Sequence, residues 1–88
     1  MRILYSNPAI KVLQTIPEPK ASYIIRDIEG IISGSSSDRV SGIGGSKEKI
    51  LRSNSYNIMF VITDFKGNRV LYINNIFTDE DLYYYIGK

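Results

Sequence analysis

The residues best suited to binding chemistry lie in a glycine-rich turn, Gly42-Ile43-Gly44-Gly45-Ser46-Lys47. When such a turn leads into a helix, its backbone N–H groups can converge on an anion. The Ser46 hydroxyl and the Lys47 ammonium would add a donor and a charge. The spacing is not that of a Walker A loop, which needs a longer interval between its glycines and a hydroxyl residue after its lysine. The turn therefore indicates either a phosphate-binding loop or a flexible loop before a capped helix.

A second candidate is the corner at Ser6 and Asn7, where a short strand leads into a helix. Asparagine followed by Pro8 is typical of helix capping, and strand-to-helix corners are also where α/β proteins place ligands. Two arginines on either side of the glycine-rich turn would balance the charge of an anion. The predicted ligand-binding residues are Ser6, Asn7, Arg39, Gly44, Gly45, Ser46, Lys47 and Arg52.

The composition removes several kinds of catalysis. The 88 residues include no cysteine and no histidine, which excludes thiol chemistry, Ser-His and Cys-His pairs, and the commonest metal ligands. The acids 79–81 are typical of the first turn of a helix rather than of an acid/base pair. We therefore predict no catalytic residue, no metal site and no cofactor, and favour a non-enzymatic role. A net charge of +2 is too small to favour duplex nucleic acid as a partner.

The elements that must position these residues indicate a single α+β domain over residues 1–88. We predict a mixed, mostly antiparallel sheet of four or five strands with two or three short helices. Strands over 57–64 and 69–76, joined by Lys66-Gly67-Asn68, predict an antiparallel hairpin whose first arm lies centrally in the sheet. Thr78 and the acids after it predict a C-terminal helix.

The middle of the chain predicts a strand over 21–27, a turn at Glu29-Gly30, a glycine- and serine-rich loop over 34–46, and a helix from Ser46 to Ser53. The start of the chain predicts a strand over 2–5 and a helix that ends at Pro17 and Pro19. The expected core residues are Ile3, Leu13, Ile25, Ile58, Phe60, Ile62, Leu71, Ile73 and Leu82.

Two segments carry a resemblance to a known family. The run Ile3-Leu4-Tyr5-Ser6-Asn7-Pro8-Ala9-Ile10-Lys11-Val12-Leu13 is similar to the opening strand, corner and helix of the viral ring nucleases. These are anti-CRISPR proteins of archaeal viruses and phages that degrade cyclic tetra-adenylate. The run Ile43-Gly44-Gly45-Ser46-Lys47-Glu48-Lys49-Ile50-Leu51 resembles that family's Ile-Gly-His segment and the helix after it. The family's active-site histidine would fall on Gly45, however, so catalysis does not carry over.

The resemblance implies a viral or mobile-element protein that binds a cyclic nucleotide without cutting it, as a sponge for an immune second messenger. Asn7 would contact the ligand, and the 44–46 backbone would contact its phosphate. A homodimer or higher homo-oligomer in the host cytoplasm is expected, without a membrane segment.

Two other classes stay open from the sequence. One is an interaction module whose hairpin edge or tyrosine-rich C-terminal helix docks on a host or defence protein and inhibits it. The other is a small nuclease or toxin that uses arginine and lysine with a carboxylate. The second of these has the weaker support, because the sequence has no histidine and no obvious acidic cluster.

Overall fold

A computed structural model describes residues 1–86 and contains one five-stranded sheet and three α-helices. The strands are β1 (Arg2–Tyr5), β2 (Val40–Gly42), β3 (Lys49–Ser53), β4 (Tyr56–Phe65) and β5 (Asn68–Thr78). The helices are α1 (Asn7–Thr15), α2 (Lys20–Ser33) and α3 (Asp79–Ile86), and Ser37–Arg39 form a 3₁₀ turn. The sheet order is β1-β5-β4-β3-β2, with β1 parallel to β5 and every other pair antiparallel. The predicted α+β class is confirmed.

The β4–β5 hairpin follows the prediction. Lys66 and Gly67 form its turn with φ values of +52° and +80°, and two positive φ values in a row are the requirement of the twist-compatible hairpin turn. β4 is the third of the five strands, so its central position is also confirmed. Residues 58–60 of β4 are buried, with Ile58 and Phe60 on one face of the sheet and Met59 on the other.

Helices α1 and α2 cover one face of the sheet. Strand pairing places Leu51, Ile58 and Ile76 in one row across three strands, and this row packs against the buried residues of both helices. The shared core comprises Ala9, Ile16, Ala21, Ile24, Ile28, Leu51, Ile58, Phe60, Leu71, Ile73 and Ile76. Side chains alternate between the faces of a strand, so Arg52, Asn57 and Met59 point to the opposite face. We call it the open face, because α1 and α2 pack on the other side of the sheet.

The predicted strand over 21–27 and the turn at Glu29-Gly30 are wrong, because both segments belong to α2. The β-branched residues suggested a strand, but Ala21, Ile24 and Ile28 are spaced at i, i+3 and i+7 and all become buried against the sheet. Burial of such a stripe outweighs the small helix propensity penalty of isoleucine. The helix then ends at Gly34, which has a φ of +88°.

The predicted helix from Ser46 to Ser53 is also wrong, because β3 occupies its second half. Asn54 and Ser55, with φ values of +51° and +72°, form a two-residue turn that pairs β3 with β4. The predicted loop over 34–46 contains the 3₁₀ turn and the edge strand β2.

The predicted core is partly correct. Ile58, Phe60, Leu71 and Ile73 are buried, whereas Ile25 and Ile62 are each 39% exposed. Ile3, Leu13 and Leu82 are half-buried. No helix within residues 1–86 is long and apolar enough to cross a membrane.

Candidate functional site

The glycine-rich turn connects β2 to β3 and does not lead into a helix. The Ser46 Oγ accepts a hydrogen bond from the Glu48 backbone N–H at 3.1 Å, and the Ser46 N–H donates to the Ile43 carbonyl at 2.7 Å. Ser46 therefore closes a local turn instead of capping a helix. Because no helix follows, Gly44, Gly45 and Lys47 have no helix dipole behind them, so the predicted anion site has no support from a helix N-terminus.

At the first corner, Ser6 and not Asn7 caps α1. The Ser6 Oγ accepts from the Ala9 N–H at 3.1 Å and donates to the Asn74 carbonyl oxygen at 2.6 Å. Asn7 is the first helical residue, and its side chain is exposed. The Ser6 hydroxyl, which we predicted to contact a ligand, is thus hydrogen-bonded within the protein.

Asn74 joins the two predicted site segments. Its carbonyl oxygen binds Ser6, and its side-chain N–H donates to the Glu48 carboxylate, next to Ser46 in the turn. In the strand register Asn74 is opposite no residue of β4, because Met59 pairs with Asn75 and Phe60 with Ile73, which leaves Asn74 as the extra residue of a β-bulge. Neither Asn74 nor Glu48 is among the site residues predicted from the sequence. A carboxylate where the two segments meet would repel a phosphate.

Arg39 is bound by Asp27 of α2. Its guanidinium donates to both carboxylate oxygens, at 2.8 and 3.2 Å, and the Ser53 hydroxyl donates to the same carboxylate. Burial alone would raise the pKa of Asp27, but the hydrogen bonds from Arg39 and Ser53 outweigh it and lower the pKa below its usual value. This cluster joins α2, the 3₁₀ turn and β3, and it neutralises the arginine.

Arg52 lies on the open face and is bound by Asp79 at the start of α3. One guanidinium nitrogen donates to Asp79 Oδ2 at 3.0 Å, and a second contacts Oδ1. The buried Asn57, which pairs with Arg52 across β3 and β4, donates to the same carboxylate at 2.8 Å. The hydrogen bond from Arg52, followed by that from Asn57, lowers the pKa of Asp79 to about 2.

A separate apolar groove lies on the helical side of the molecule, where α1 and α2 leave the edge strand β1 partly uncovered. Its volume is about 480 Å³, within the range of roughly 300–1,000 Å³ for ligand sites. Burial, and then the charge of Glu29, raise the pKa of Tyr5, so this residue stays a neutral hydroxyl. The groove is lined by Ile3, Tyr5, Ile10, Leu13, Gln14, Glu18, Ala21, Ile25 and Glu29.

The sequence matches no protein-family model and no curated protein. The structure does match solved structures. The RelBE2 toxin–antitoxin complex of Mycobacterium tuberculosis contains a chain that is 13% identical, with a TM-score of 0.68 over 88% of this chain and 95% of that one. A chain of the RelB–RelE complex of Methanococcus jannaschii is 17% identical, with a TM-score of 0.66 over 93% of this chain and 96% of that one. The YoeB/ParE toxin of Agrobacterium tumefaciens is 8% identical, with a TM-score of 0.62 over 89% of this chain and 98% of that one.

The chain therefore shares its fold with one chain of each of these toxin–antitoxin structures. The resemblance to ring nucleases is therefore wrong, and so are the sponge function and the cyclic-nucleotide partner that it implied. The physical reason lies in the second of the two motifs. Residues 43–51 share residue types with the ring-nuclease segment, but they form a turn and a strand where that family has a turn and a helix.

Within the toxin–antitoxin fold, the predicted site residues fall into three groups. Ser6 and Ser46 are linked through Asn74 and Glu48, whereas Arg39 and Arg52 belong to the two separate ion-pair clusters. Asn7, Gly44, Gly45 and Lys47 are exposed. Among residues 1–86, no group of three or more acidic side chains is arranged to hold a metal ion.

Proposed function

We propose that this chain is the toxin-type subunit of a toxin–antitoxin pair. The observation that carries the proposal is the extent of the structural match, which takes in nearly the whole of both chains. The YoeB/ParE toxin is matched over 98% of its length, so the likeness is to a complete toxin chain and not to a shared substructure. On this proposal the chain arrests growth when free and is neutralised by a protein partner.

The ion pairs of Arg39 and Arg52 bear on whether such a toxin could act as a nuclease. A nuclease without histidine would need unpaired cations to stabilise a phosphate transition state. Arg39 is paired with Asp27, and Arg52 with Asp79. Neither arginine is therefore free for that role, and the two clusters favour a structural function for both.

The test is controlled expression of the chain from a tightly repressed promoter, with growth followed after induction. We expect growth to stop and to resume when expression is repressed again. The matched control is Leu71→Asp, which places a charge at a fully buried position of β5 and prevents folding. Growth of the unsubstituted strain at the rate of the Leu71→Asp strain, with soluble protein present, would contradict the proposal.

A further inference from the structure

We propose that the groove between α1, α2 and β1 binds a linear polyamine, a small molecule with an ammonium group at each end of a flexible methylene chain. The middle of the groove is apolar, and its lining includes a carboxylate on either side of that middle, at Glu18 and Glu29. The order of charge and apolar surface along the groove is therefore the order found along a polyamine. Such a site is independent of the proposed toxin function.

The apolar middle of the groove is built from three elements. Ile3 of β1 is only half-buried, because β1 is an edge strand. Ile10 of α1 and Ile25 of α2 also line the groove, and they are 40% and 39% exposed. Methylene groups lying over these side chains would be removed from water together with them, which favours binding of an alkyl chain.

The two carboxylates are about two helical turns apart. Glu18 Oε2 accepts hydrogen bonds from the Ser22 hydroxyl at 2.5 Å and from the Ser22 N–H at 3.3 Å, so this carboxylate lies beside Ser22. Glu29 follows Ser22 by seven residues in α2, which at 1.5 Å per residue is about 10 Å along the helix axis. Ser22, Ile25 and Glu29 have the spacing i, i+3 and i+7, so they share one side of α2 with the isoleucine in the middle. An extended chain with two amino ends matches this separation.

The negative charge of the groove lacks a cation within its lining, which contains no lysine or arginine. Glu29 forms no ion pair within residues 1–86. Arg26, one turn before it in α2, lies over the ring of Tyr23 at 5.5 Å from the centroid. The charge of Glu29 also reaches Tyr5, where it adds to the effect of burial in raising the pKa. The groove therefore favours a cationic ligand and disfavours an anionic one.

Neutral polar groups complete the lining. The hydroxyl of Tyr5 and the side-chain amide of Gln14 both face the groove and offer oxygen acceptors to an ammonium N–H. A mostly apolar cleft with a few polar groups is the usual form of a small-molecule site. The carboxylates would bind the two ends of the chain, and the neutral acceptors would bind an amine within it.

The test is an NMR titration of the intact chain with spermidine, in which amide chemical shifts give both the Kd and the location of binding. Diaminopropane is the first comparison, because it is too short to reach both carboxylates. Spermidine acetylated at both ends keeps the chain and loses the terminal charges. We expect saturable binding of spermidine that weakens with added salt, and at least roughly fivefold weaker binding of both comparison ligands.

Two variants test the assigned residues. Glu29→Gln removes one charge and keeps the shape of the side chain, and Ile25→Ser removes the apolar middle. Each should raise the Kd for spermidine at least roughly threefold. The controls are Glu80→Gln on α3 and Ile62→Ser, at an equally exposed isoleucine outside the groove, both of which should leave the Kd unchanged. Thermal melting of all four variants verifies folding.

Equal affinity for spermidine and diaminopropane would overturn the proposal, and so would the same shifts on addition of magnesium chloride. Either result would mean that the groove attracts cations only as a diffuse acidic surface. Absence of saturable binding, or binding that neither groove variant weakens, would also overturn it. Growth arrest plays no part in these measurements, so failure of the polyamine site and failure of the proposed toxin function are distinguishable.

Discussion

At the residue scale, Asp79 shows how two side chains from separate strands fix one carboxylate at the start of a helix. Arg52 of β3 and Asn57 of β4 both donate to it, at the point where β5 passes into α3. Thr78 caps the same helix, accepting from the Asp81 N–H at 3.1 Å. The start of α3 is therefore held by polar contacts, and its last turn by the packing of Tyr85 on Phe77, with ring centroids 5.1 Å apart.

The first prediction concerns the titration of Asp79. Because its folded-state pKa of about 2 lies below the ordinary value of 3.8, the ion pair stabilises the fold above pH 3.8 and loses this effect as the pH falls towards 2. Arg52→Ala should move the Asp79 midpoint, followed by carboxyl-carbon NMR, up towards 3.8. Arg69→Ala, at an exposed arginine near Asp64, should not move it. A midpoint near 3.8 in the unsubstituted protein would contradict the assigned ion pair.

The second prediction concerns Gly30, inside α2. Replacing glycine with alanine within a helix normally stabilises a protein by about 1 kcal/mol. Here a Cβ would overlap Ser36 Oγ and lie 2.6 Å from Ser35 Oγ, and Ser36 is fixed by its hydrogen bond to the Asp27 carbonyl. We therefore expect Gly30→Ala to destabilise the protein by roughly 1–3 kcal/mol in urea denaturation.

Gly44→Ala is the control for this measurement, because its added Cβ would meet no atom within 4 Å and its backbone needs no positive φ. Its free energy of unfolding should stay within about 0.5 kcal/mol of the unsubstituted value. A stable Gly30→Ala protein would mean that the 35–36 backbone moves freely away from α2.

At the element scale, the two hairpin turns have the same geometry but different residues. Lys66-Gly67 has glycine at its second position, whereas Asn54-Ser55 places serine at a φ of +72°. A residue with a Cβ is strained in this region of backbone space, by about 1–2 kcal/mol. The β3–β4 turn is therefore the weaker of the two.

The third prediction follows from this difference. Ser55→Gly should stabilise the protein by roughly 0.5–1 kcal/mol, since the relief of strain exceeds the added entropy of the unfolded chain. Gly67→Ala should destabilise it by a similar amount. Paired urea titrations measure both, and destabilisation by Ser55→Gly would show that the serine side chain contributes more than its backbone strain costs.

The same contrast explains what the sequence could and could not predict. The β4–β5 hairpin was predictable because a glycine turn lies between two long apolar runs. β3 was not, because Asn54-Ser55 has no glycine and Lys49–Ser53 is too short to show a period. α2 was not predicted because Ile24 and Ile25 favour a strand locally. The helix forms because it buries Ala21, Ile24 and Ile28 against the sheet, a contact that the sequence alone does not show. The link between Ser6 and Ser46 depends on a bulge at Asn74, which is set by strand register and leaves no local signal.

At the scale of the whole molecule, the sheet divides two surfaces of different character. The helical face carries the core and the acidic, apolar groove, and the open face carries the Arg52–Asn57–Asp79 cluster. A core of this size in an 88-residue chain leaves little reserve of stability. A ligand bound in the groove would add to it.

The fourth prediction concerns that core. Leu71→Ala removes a fully buried side chain at the centre of the sheet and should destabilise the protein by about 2–5 kcal/mol. Ile62→Ala, at a position 39% exposed, should cost clearly less. If urea denaturation showed the same loss of unfolding free energy for Leu71→Ala and Ile62→Ala, Leu71 would not be at the centre of the core.

The central claim, membership of a toxin–antitoxin pair, is tested most directly by rescue from growth arrest. Cells that express this chain are transformed with a library of gene fragments from the source genome, and fragments that restore growth are recovered. We expect at least one small protein that restores growth and purifies with the chain as a stoichiometric complex. Failure of the chain to arrest growth, or rescue only by fragments that lower its expression, would contradict its membership of a toxin–antitoxin pair.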